Sequence, residues 1–173
     1  VVVDAVVTDD TSHDHDDVRR LQHLARVRVI ATQIGERVQL VEYGAGALLK
    51  VRRLLDVLPR QTLQFVPMDI SGPHLLAACD GLAADYPGLA IQPLVADFTR
   101  PHTLPPCPAG SCRVGFFPGS SIGNFAPAEA DAFLRLAAGE LKGGGLLIGI
   151  QANGLVDLFK GCLLYTSPSP RDK

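Results

Sequence analysis

Four residues at the ends of apolar runs are the best candidates for ligand chemistry in this sequence. Asp69 follows the second such run, Asp97 and Phe98 follow the third, and Glu42 lies near the end of the first. Carboxylates accept hydrogen bonds from ribose hydroxyls or an exocyclic amine, and a phenyl ring packs against a heterocycle. Taken singly, each acid also fits a helix N-cap or a solvated loop. Together they favour a site for a ligand that contains a nucleoside.

A glycine turn directly follows the first apolar run, 38–43. After Gly44 and Gly46, the apolar residues from Leu48 to Leu55 have helical spacing, so the stretch predicts a strand, a tight turn and a helix. Glycines suit such a turn because they adopt unusual backbone angles and let a ligand group approach the backbone beside a helix N-terminus. An ordinary turn without a ligand has the same pattern.

Strands and helices alternate from residue 38 to residue 150. Apolar runs predict strands over 38–43, 63–68, 90–95, 112–117 and 146–150. Helices are predicted after the glycine turn, from Ser71 as N-cap with Pro73 in the first turn, and from Pro127 to the triple glycine at 143–145. The predicted apolar faces are Leu75, Leu76, Cys79, Leu82 and Ala83 in the second helix, and Phe133, Leu134, Leu136, Ala137 and Leu141 in the third. This order predicts an α/β fold in which helices cover both faces of a mostly parallel sheet and ligands bind at the carboxyl ends of its strands.

Two other ligand chemistries compete for the same elements. A dinucleotide fingerprint needs a third small residue three positions after Gly46, and that position is Leu49, which weakens the interpretation as a nicotinamide-dependent oxidoreductase. The segment Gly119 to Gly123 matches the G-x-S-x-G nucleophile elbow of α/β-hydrolases, with Ser121 as the nucleophile. Those enzymes place the histidine after the serine, whereas all five histidines here precede Ser121.

Composition excludes several classes of protein. The chain has 173 residues and a formal net charge of -2, so it carries no basic excess for nucleic acid. It has no apolar run of the roughly 20 residues that cross a bilayer, and its start lacks a signal-peptide pattern. We therefore expect a soluble cytoplasmic protein with no nucleic-acid or membrane partner. The four cysteines are scattered and predict free thiols, and the aspartates around His13 and His15 predict a solvated acidic loop rather than a metal site.

The two ends of the chain differ from the centre. Residues 1–29 have only weak helical periodicity, from Val18 to Ile30, and form a poorly determined N-terminal segment. Residues 30–151 form the predicted core domain. Residues 152–173 have no period and contain two Ser-Pro pairs, which is typical of translated vector sequence; a natural flexible tail is the alternative.

The strand ends also carry a family resemblance. Glu42-Tyr43-Gly44-Ala45-Gly46 with Lys50, Pro67 to Ser71, Asp97-Phe98 and Phe117 to Phe125 resemble the histidine-specific S-adenosylmethionine-dependent methyltransferases. The most specific of these segments is Gly-Ser-Ser-Ile-Gly-Asn, at 119–124. The resemblance runs from about Val38 to Ile150. It implies a Rossmann-like class I methyltransferase fold, and an N-methyltransferase that acts on the α-amine of an amino acid, L-histidine in the first place, as in ergothioneine biosynthesis.

The resemblance also assigns residues. It implies that S-adenosylmethionine is held by Gly44, Gly46, Lys50, Asp69, Asp97 and Phe98, and that Gly119 and Asn124 contact a small amino-acid substrate. No residue stands out as a catalytic base, and the sequence gives no indication of the oligomeric state. Family members carry a tyrosine-containing substrate segment before the first strand and further C-terminal strands, which this chain lacks. We therefore expect a fragment in which much of the substrate pocket is missing and which can be inactive by itself.

Overall fold

The alternating apolar runs form a parallel sheet flanked by helices. The computed structural model describes residues 2–7, 37–56, 58, 62–118 and 120–150. The strands are β1 (Val2–Val7), β2 (Val38–Tyr43), β3 (Thr62–Asp69), β4 (Ala90–Ile91), β5 (Leu94–Val95), β6 (Cys112–Phe117) and β7 (Gly145–Ile150). The α-helices are α1 (Leu49–Leu55), α2 (Gly72–Asp85) and α3 (Pro127–Glu140), and a 3₁₀-helix covers Ser120–Asn124. Both predicted fold features, the parallel sheet and the alternation with helices, are confirmed.

The strand order creates a crevice at the carboxyl end of β2. Within the described residues the sheet has seven strands in the order β1-β7-β6-β2-β3-β4, with β5 also beside β3, and every pair is parallel. The chain proceeds from β2 to β3 on one side and later returns to place β6 on the other side. The strand order therefore reverses at β2, which is where open α/β sheets bind ligands.

Helices cover both faces of the sheet. On one face Leu40 packs with Val51 of α1 and Leu75 of α2, and on the other face Val41 packs with Phe133 of α3. The alternation of neighbouring strand residues between two cores explains why the strands are apolar throughout.

Some of the predicted helix faces were too wide. The buried residues of α2 are Leu75, Cys79 and Leu82, whereas Leu76 and Ala83 are exposed. In α3 the buried residues are Ala130, Phe133 and Ala137, with Leu141 buried just after the helix, while Leu134 and Leu136 are half-buried. Each helix contacts the sheet along one narrow stripe, so the flanking apolar residues remain accessible.

The predicted strand over 90–95 is divided in two. β4 and β5 both pair with β3, and the residues between them are Gln92 and Pro93. Pro93 has no backbone N–H to donate to a ladder, so regular pairing stops there. The amide of Ala96 then donates to the carbonyl of Asp69 at 3.1 Å, which fixes the segment that leads to Asp97.

β1 was not predicted, and it lies beside β7. The predicted helix at 18–30, the acidic loop with His13 and His15, and Cys162 all lie outside the described residues. Cys79 and Cys107 are free cysteines. None of the helices in the described part of the chain has the length and apolar character that a bilayer crossing requires.

Candidate functional site

The glycine turn after β2 requires its glycines. Gly44 and Gly46 have φ values of 68° and 54°, and Leu48, which precedes α1, also has a positive φ of 57°. The left-handed region is costly for residues with a β-carbon, so glycine is the favoured residue at these positions. The amide of Ala45 donates to the carbonyl of Met68 at 2.9 Å, which joins the turn to the end of β3.

Asp69 anchors the same turn. One of its oxygens, Oδ2, accepts the amide of Gly46 at 3.0 Å, and the other, Oδ1, accepts the amide of Ser71 at 2.9 Å. Ser71 occupies the predicted N-cap position of α2, but its hydroxyl makes no capping bond, so that part of the prediction was wrong. Each carboxylate oxygen has two lone pairs, so Asp69 can hold the turn and still accept ligand hydroxyls.

Asp97 combines a local turn with an accessible carboxylate. Its Oδ1 accepts the amide of Thr99 at 2.9 Å and the Thr99 hydroxyl at 2.6 Å, while its Oδ2 lies 3.2 Å from Nε of Arg100. The hydrogen bonds from Thr99 lower the pKa of Asp97, followed by the charge of Arg100, so the group is ionised at neutral pH. Among the described residues Oδ2 pairs with the exposed Arg100, which leaves it available to a ligand.

Phe98 brings the glycine turn and the predicted substrate segment together. A β-carbon built on Gly44 would lie 3.2 Å from Cε1 of Phe98, so the ring lies directly against the turn. The ring is also stacked at 6.3 Å on Phe125, the residue after the 3₁₀-helix. Asn124, the last residue of that helix, is exposed beside it.

Gly119 and Ser121 belong to the same segment, as a predicted substrate contact and as the alternative nucleophile. Gly119 lies outside the described residues. Ser121 is exposed within a 3₁₀-helix, whereas a nucleophile elbow leads from its strand into an α-helix. The hydrolase interpretation therefore loses its structural context.

Glu42 is the buried carboxyl group of the site. It is 1% exposed, and its Oε2 has no hydrogen-bond partner among the described residues. Burial raises its pKa well above the ordinary value, and the charge of Lys50, exposed in the first turn of α1, partly opposes that shift. The predicted set contained Lys50 but gave Glu42 no role.

We expect Glu42→Gln to stabilise the folded chain increasingly as the pH rises. Because the pKa of Glu42 is raised in the folded state, the native chain keeps a proton that the unfolded chain releases above the ordinary glutamate pKa. The unaltered chain therefore loses stability as the pH increases towards the folded-state pKa, whereas the glutamine variant does not. Thermal unfolding of both proteins across pH, without ligand, measures this. Two curves that run parallel at every pH would contradict the buried location of Glu42.

Apolar side chains were missed in the prediction of the site. Ile70, which directly follows Asp69, is 73% exposed. Val95, which pairs with Asp69 in the sheet, is 54% exposed. These two apolar side chains are accessible to a ligand at the same end of the sheet as Asp69. Their only sequence signal is their position at strand ends.

Leu49 occupies the position where a dinucleotide fingerprint has its third small residue. It is 70% exposed, so its size does not interfere with the packing of the helix on the sheet. The absence of a small residue there is therefore a weaker argument against a dinucleotide than expected.

Comparisons with known proteins relate the chain to one family of enzymes. A family model described as "Histidine-specific methyltransferase, SAM-dependent" matches residues 23–157. Two proteins named histidine N-alpha-methyltransferase, from Mycobacterium tuberculosis and Mycolicibacterium smegmatis, are 37% and 38% identical to the chain over 113 residues. Each match covers 64% of this chain, which spans 35% of the length of these relatives.

The fold has relatives of known structure. The chain superimposes on the S-adenosylmethionine-dependent methyltransferase SibL with a TM-score of 0.54 and 18% identity, over 77% of this chain and 36% of that one. This likeness confirms the Rossmann-like methyltransferase fold. Because the family model covers most of the sequence, the chain belongs to the family of histidine-specific, S-adenosylmethionine-dependent methyltransferases.

Proposed function

We propose that the chain binds S-adenosylmethionine at the carboxyl edge of its sheet and is part of an N-methyltransferase for the α-amine of an amino acid. L-Histidine is the first candidate because the relatives at 37% and 38% identity are named histidine N-alpha-methyltransferases. The proposed place in ergothioneine biosynthesis rests on the family resemblance. The observation that carries the proposal is the contact of Asp69 and Phe98 with the same glycine turn.

The nucleoside part of the cofactor fits the outer half of the site. Asp69 retains lone pairs for the two ribose hydroxyls, and the ionised Asp97 can accept from the exocyclic amine of adenine. Phe98 and the exposed Ile70 offer apolar surface for the adenine ring. These features support the assigned roles because the ribose hydroxyls, the exocyclic amine and the face of the adenine ring each find a complementary partner.

The amino-acid part of the cofactor fits the inner half. The open backbone at Gly46, where an added β-carbon would meet nothing within 4 Å, leaves room for its backbone-like end. The ammonium of Lys50, in the first turn of α1, can pair with its carboxylate. The orphaned Oε2 of Glu42 offers an acceptor to its ammonium.

The cofactor supplies a sulfonium-activated methyl group, so the residues of the chain contribute mainly by positioning and by excluding water. The Asn124 amide can donate to a substrate carboxylate and accept from its amine, and Gly119 is proposed beside it. We assign no general base among the described residues.

Binding and methyl transfer are tested separately because the chain spans 35% of the length of its named relatives. Calorimetry with S-adenosylhomocysteine is expected to show one site, and NADH is expected to give no heat of binding. Incubation with S-adenosylmethionine and L-histidine, followed by mass spectrometry, then tests transfer to the α-amine. Binding of NADH without binding of S-adenosylhomocysteine would overturn the proposal.

Asn124→Ala is expected to weaken binding of L-histidine to the S-adenosylhomocysteine complex by about tenfold, since one or two hydrogen bonds to charged groups are lost. The affinity for S-adenosylhomocysteine itself is expected to change little. Calorimetry on both ligands measures this difference, and Ser121→Ala, at an exposed position of the same 3₁₀-helix, is the matched control. Equal losses for both ligands would argue that Asn124 only supports the fold.

A further inference from the structure

Tyr43, His102 and Glu140 form a polar cluster that is nearly enclosed. The side chains of His102 and Glu140 are 6% and 13% exposed. We propose that Glu140 is a positioning residue: it pairs with a doubly protonated His102 and with Tyr43, and so holds the Asp97–Phe98 segment against the glycine turn. This inference rests on the cofactor-binding role proposed above for Asp97 and Phe98.

Glu140 connects two segments that are distant in sequence. It is the last residue of α3, and its Oε2 accepts the hydroxyl of Tyr43 at 2.9 Å. Its Oε1 lies 2.9 Å from Nε2 of His102, a contact that is an ion pair when the ring is doubly protonated. Neither of these two atoms has a hydrogen-bond partner in the described part of the chain, so they depend on each other.

The contacts of His102 determine its proton count. Nδ1 lies 2.8 Å from the carbonyl of Arg100, which can only accept, so Nδ1 must carry a proton. In a neutral ring Nε2 would then present a lone pair to a carboxylate oxygen, and the two would repel. The geometry therefore requires a second proton between His102 and Glu140.

In the proposed pair this second proton is on His102, and Glu140 accepts from both partners. Burial, and then the negative charge of Glu140, raise the pKa of Tyr43, so its hydroxyl remains a donor to Glu140. Arg113 lies close by, but its guanidinium donates to Gln39 and to the carbonyls of Pro105 and Glu140.

These contacts form a closed path through the cofactor site. Tyr43 immediately precedes Gly44, Phe98 packs on Gly44, and the carbonyl of Arg100 holds His102, which reaches Glu140 and so returns to Tyr43. A segment fixed at both ends keeps the Phe98 ring in place before ligand binds. Such preorganisation lowers the ordering cost of binding.

The proton count is tested without any variant. ¹⁵N NMR of the histidine rings in the ligand-free chain at neutral pH is expected to show both nitrogens of His102 protonated. Assignment by His102→Gln identifies the signal. A neutral ring with a bare Nε2 would overturn the proposal.

The positioning role is tested with Glu140→Gln, which keeps the size of the side chain but removes its charge. We expect amide hydrogen exchange over 97–102 to become about tenfold faster in the ligand-free chain, and affinity for S-adenosylhomocysteine to fall by a similar factor. Tyr43→Phe is expected to have a smaller effect of the same kind. Asp131→Asn, which removes the exposed ion pair with Arg135 on the same helix, is the control and should change neither.

The outcomes separate the two proposals. Unchanged exchange and affinity in Glu140→Gln would refute the positioning role. Failure of the unaltered chain to bind S-adenosylhomocysteine would refute the proposed function. The ¹⁵N NMR of His102 and the amide hydrogen exchange would still show whether the His102–Glu140 ion pair forms. If Glu140→Gln does not fold, the ring measurement on the unaltered chain and Tyr43→Phe remain decisive.

Discussion

Replacement of Asp69 by asparagine is expected to weaken S-adenosylhomocysteine binding by about 100-fold. Hydrogen bonds to a charged group contribute ~1.5–3 kcal/mol each, and Asp69 is the proposed acceptor for two ribose hydroxyls. Asparagine keeps one acceptor oxygen and introduces an NH₂ group. Both oxygens of Asp69 already accept backbone amides, from Gly46 and Ser71, so the new NH₂ must face a donor.

The same change therefore acts on the fold as well as on the ligand. Loss of one of these amide contacts is expected to reduce the free energy of unfolding by ~1–3 kcal/mol. Calorimetric affinity and thermal unfolding are both measured, and Asp80→Asn, at an exposed position in α2, is the matched control. Unchanged affinity in a variant with lowered stability would mean that Asp69 anchors the turn only, and would remove it from the ligand site.

The positions of the site residues could be predicted from sequence because they lie at strand ends. Parallel strands buried on both faces are continuous apolar runs, so their ends are visible, and their carboxyl ends must share one edge. Asp69, Asp97 and the glycine turn were located in this way. The two roles of Asp69 were not, because the bond to Gly46 depends on how the turn folds back onto β3.

Glu42 and Pro93 show where local pattern fails. Glu42 precedes the last residue of its strand and reads as part of an accessible rim, but β3 and β6 flank β2 on both sides and enclose it. Pro93 interrupts the run 90–95, which was predicted as one strand because its apolar character is continuous. In both cases the neighbouring strands, and not the residue's own segment, decide the environment.

The cluster around Glu140 was beyond sequence reasoning. Tyr43 and Glu140 are 97 positions apart, and their contact depends on the packing of α3 and on the path of the loop that carries His102. Neither His102 nor Glu140 lies at a strand end or in a recognisable motif. Polar contacts of this kind follow from the tertiary structure rather than from periodicity.

Gly44→Ala is expected to reduce the free energy of unfolding by ~2–4 kcal/mol, from two causes. A left-handed φ of 68° costs an L-residue with a β-carbon ~1–2 kcal/mol. The new β-carbon would also lie 3.2 Å from Cε1 of Phe98, whose ring centroid is 5.4 Å from that of Phe117 and 5.6 Å from that of Phe133. A ring packed against these two neighbours can move only slightly, and overpacking of such sites typically costs ~1–3 kcal/mol.

Gly88→Ala separates these causes. Gly88 also has a positive φ, 101°, but an added β-carbon there would meet nothing within 4 Å, so only a backbone cost of ~1–3 kcal/mol remains. Denaturant unfolding compares the two variants, and S-adenosylhomocysteine affinity is expected to fall at least about tenfold in Gly44→Ala alone, because displacement of Phe98 disturbs the adenine surface. Equal stability losses with unchanged affinity in both variants would mean that Phe98 is not held against the turn and that the nucleoside site lies elsewhere.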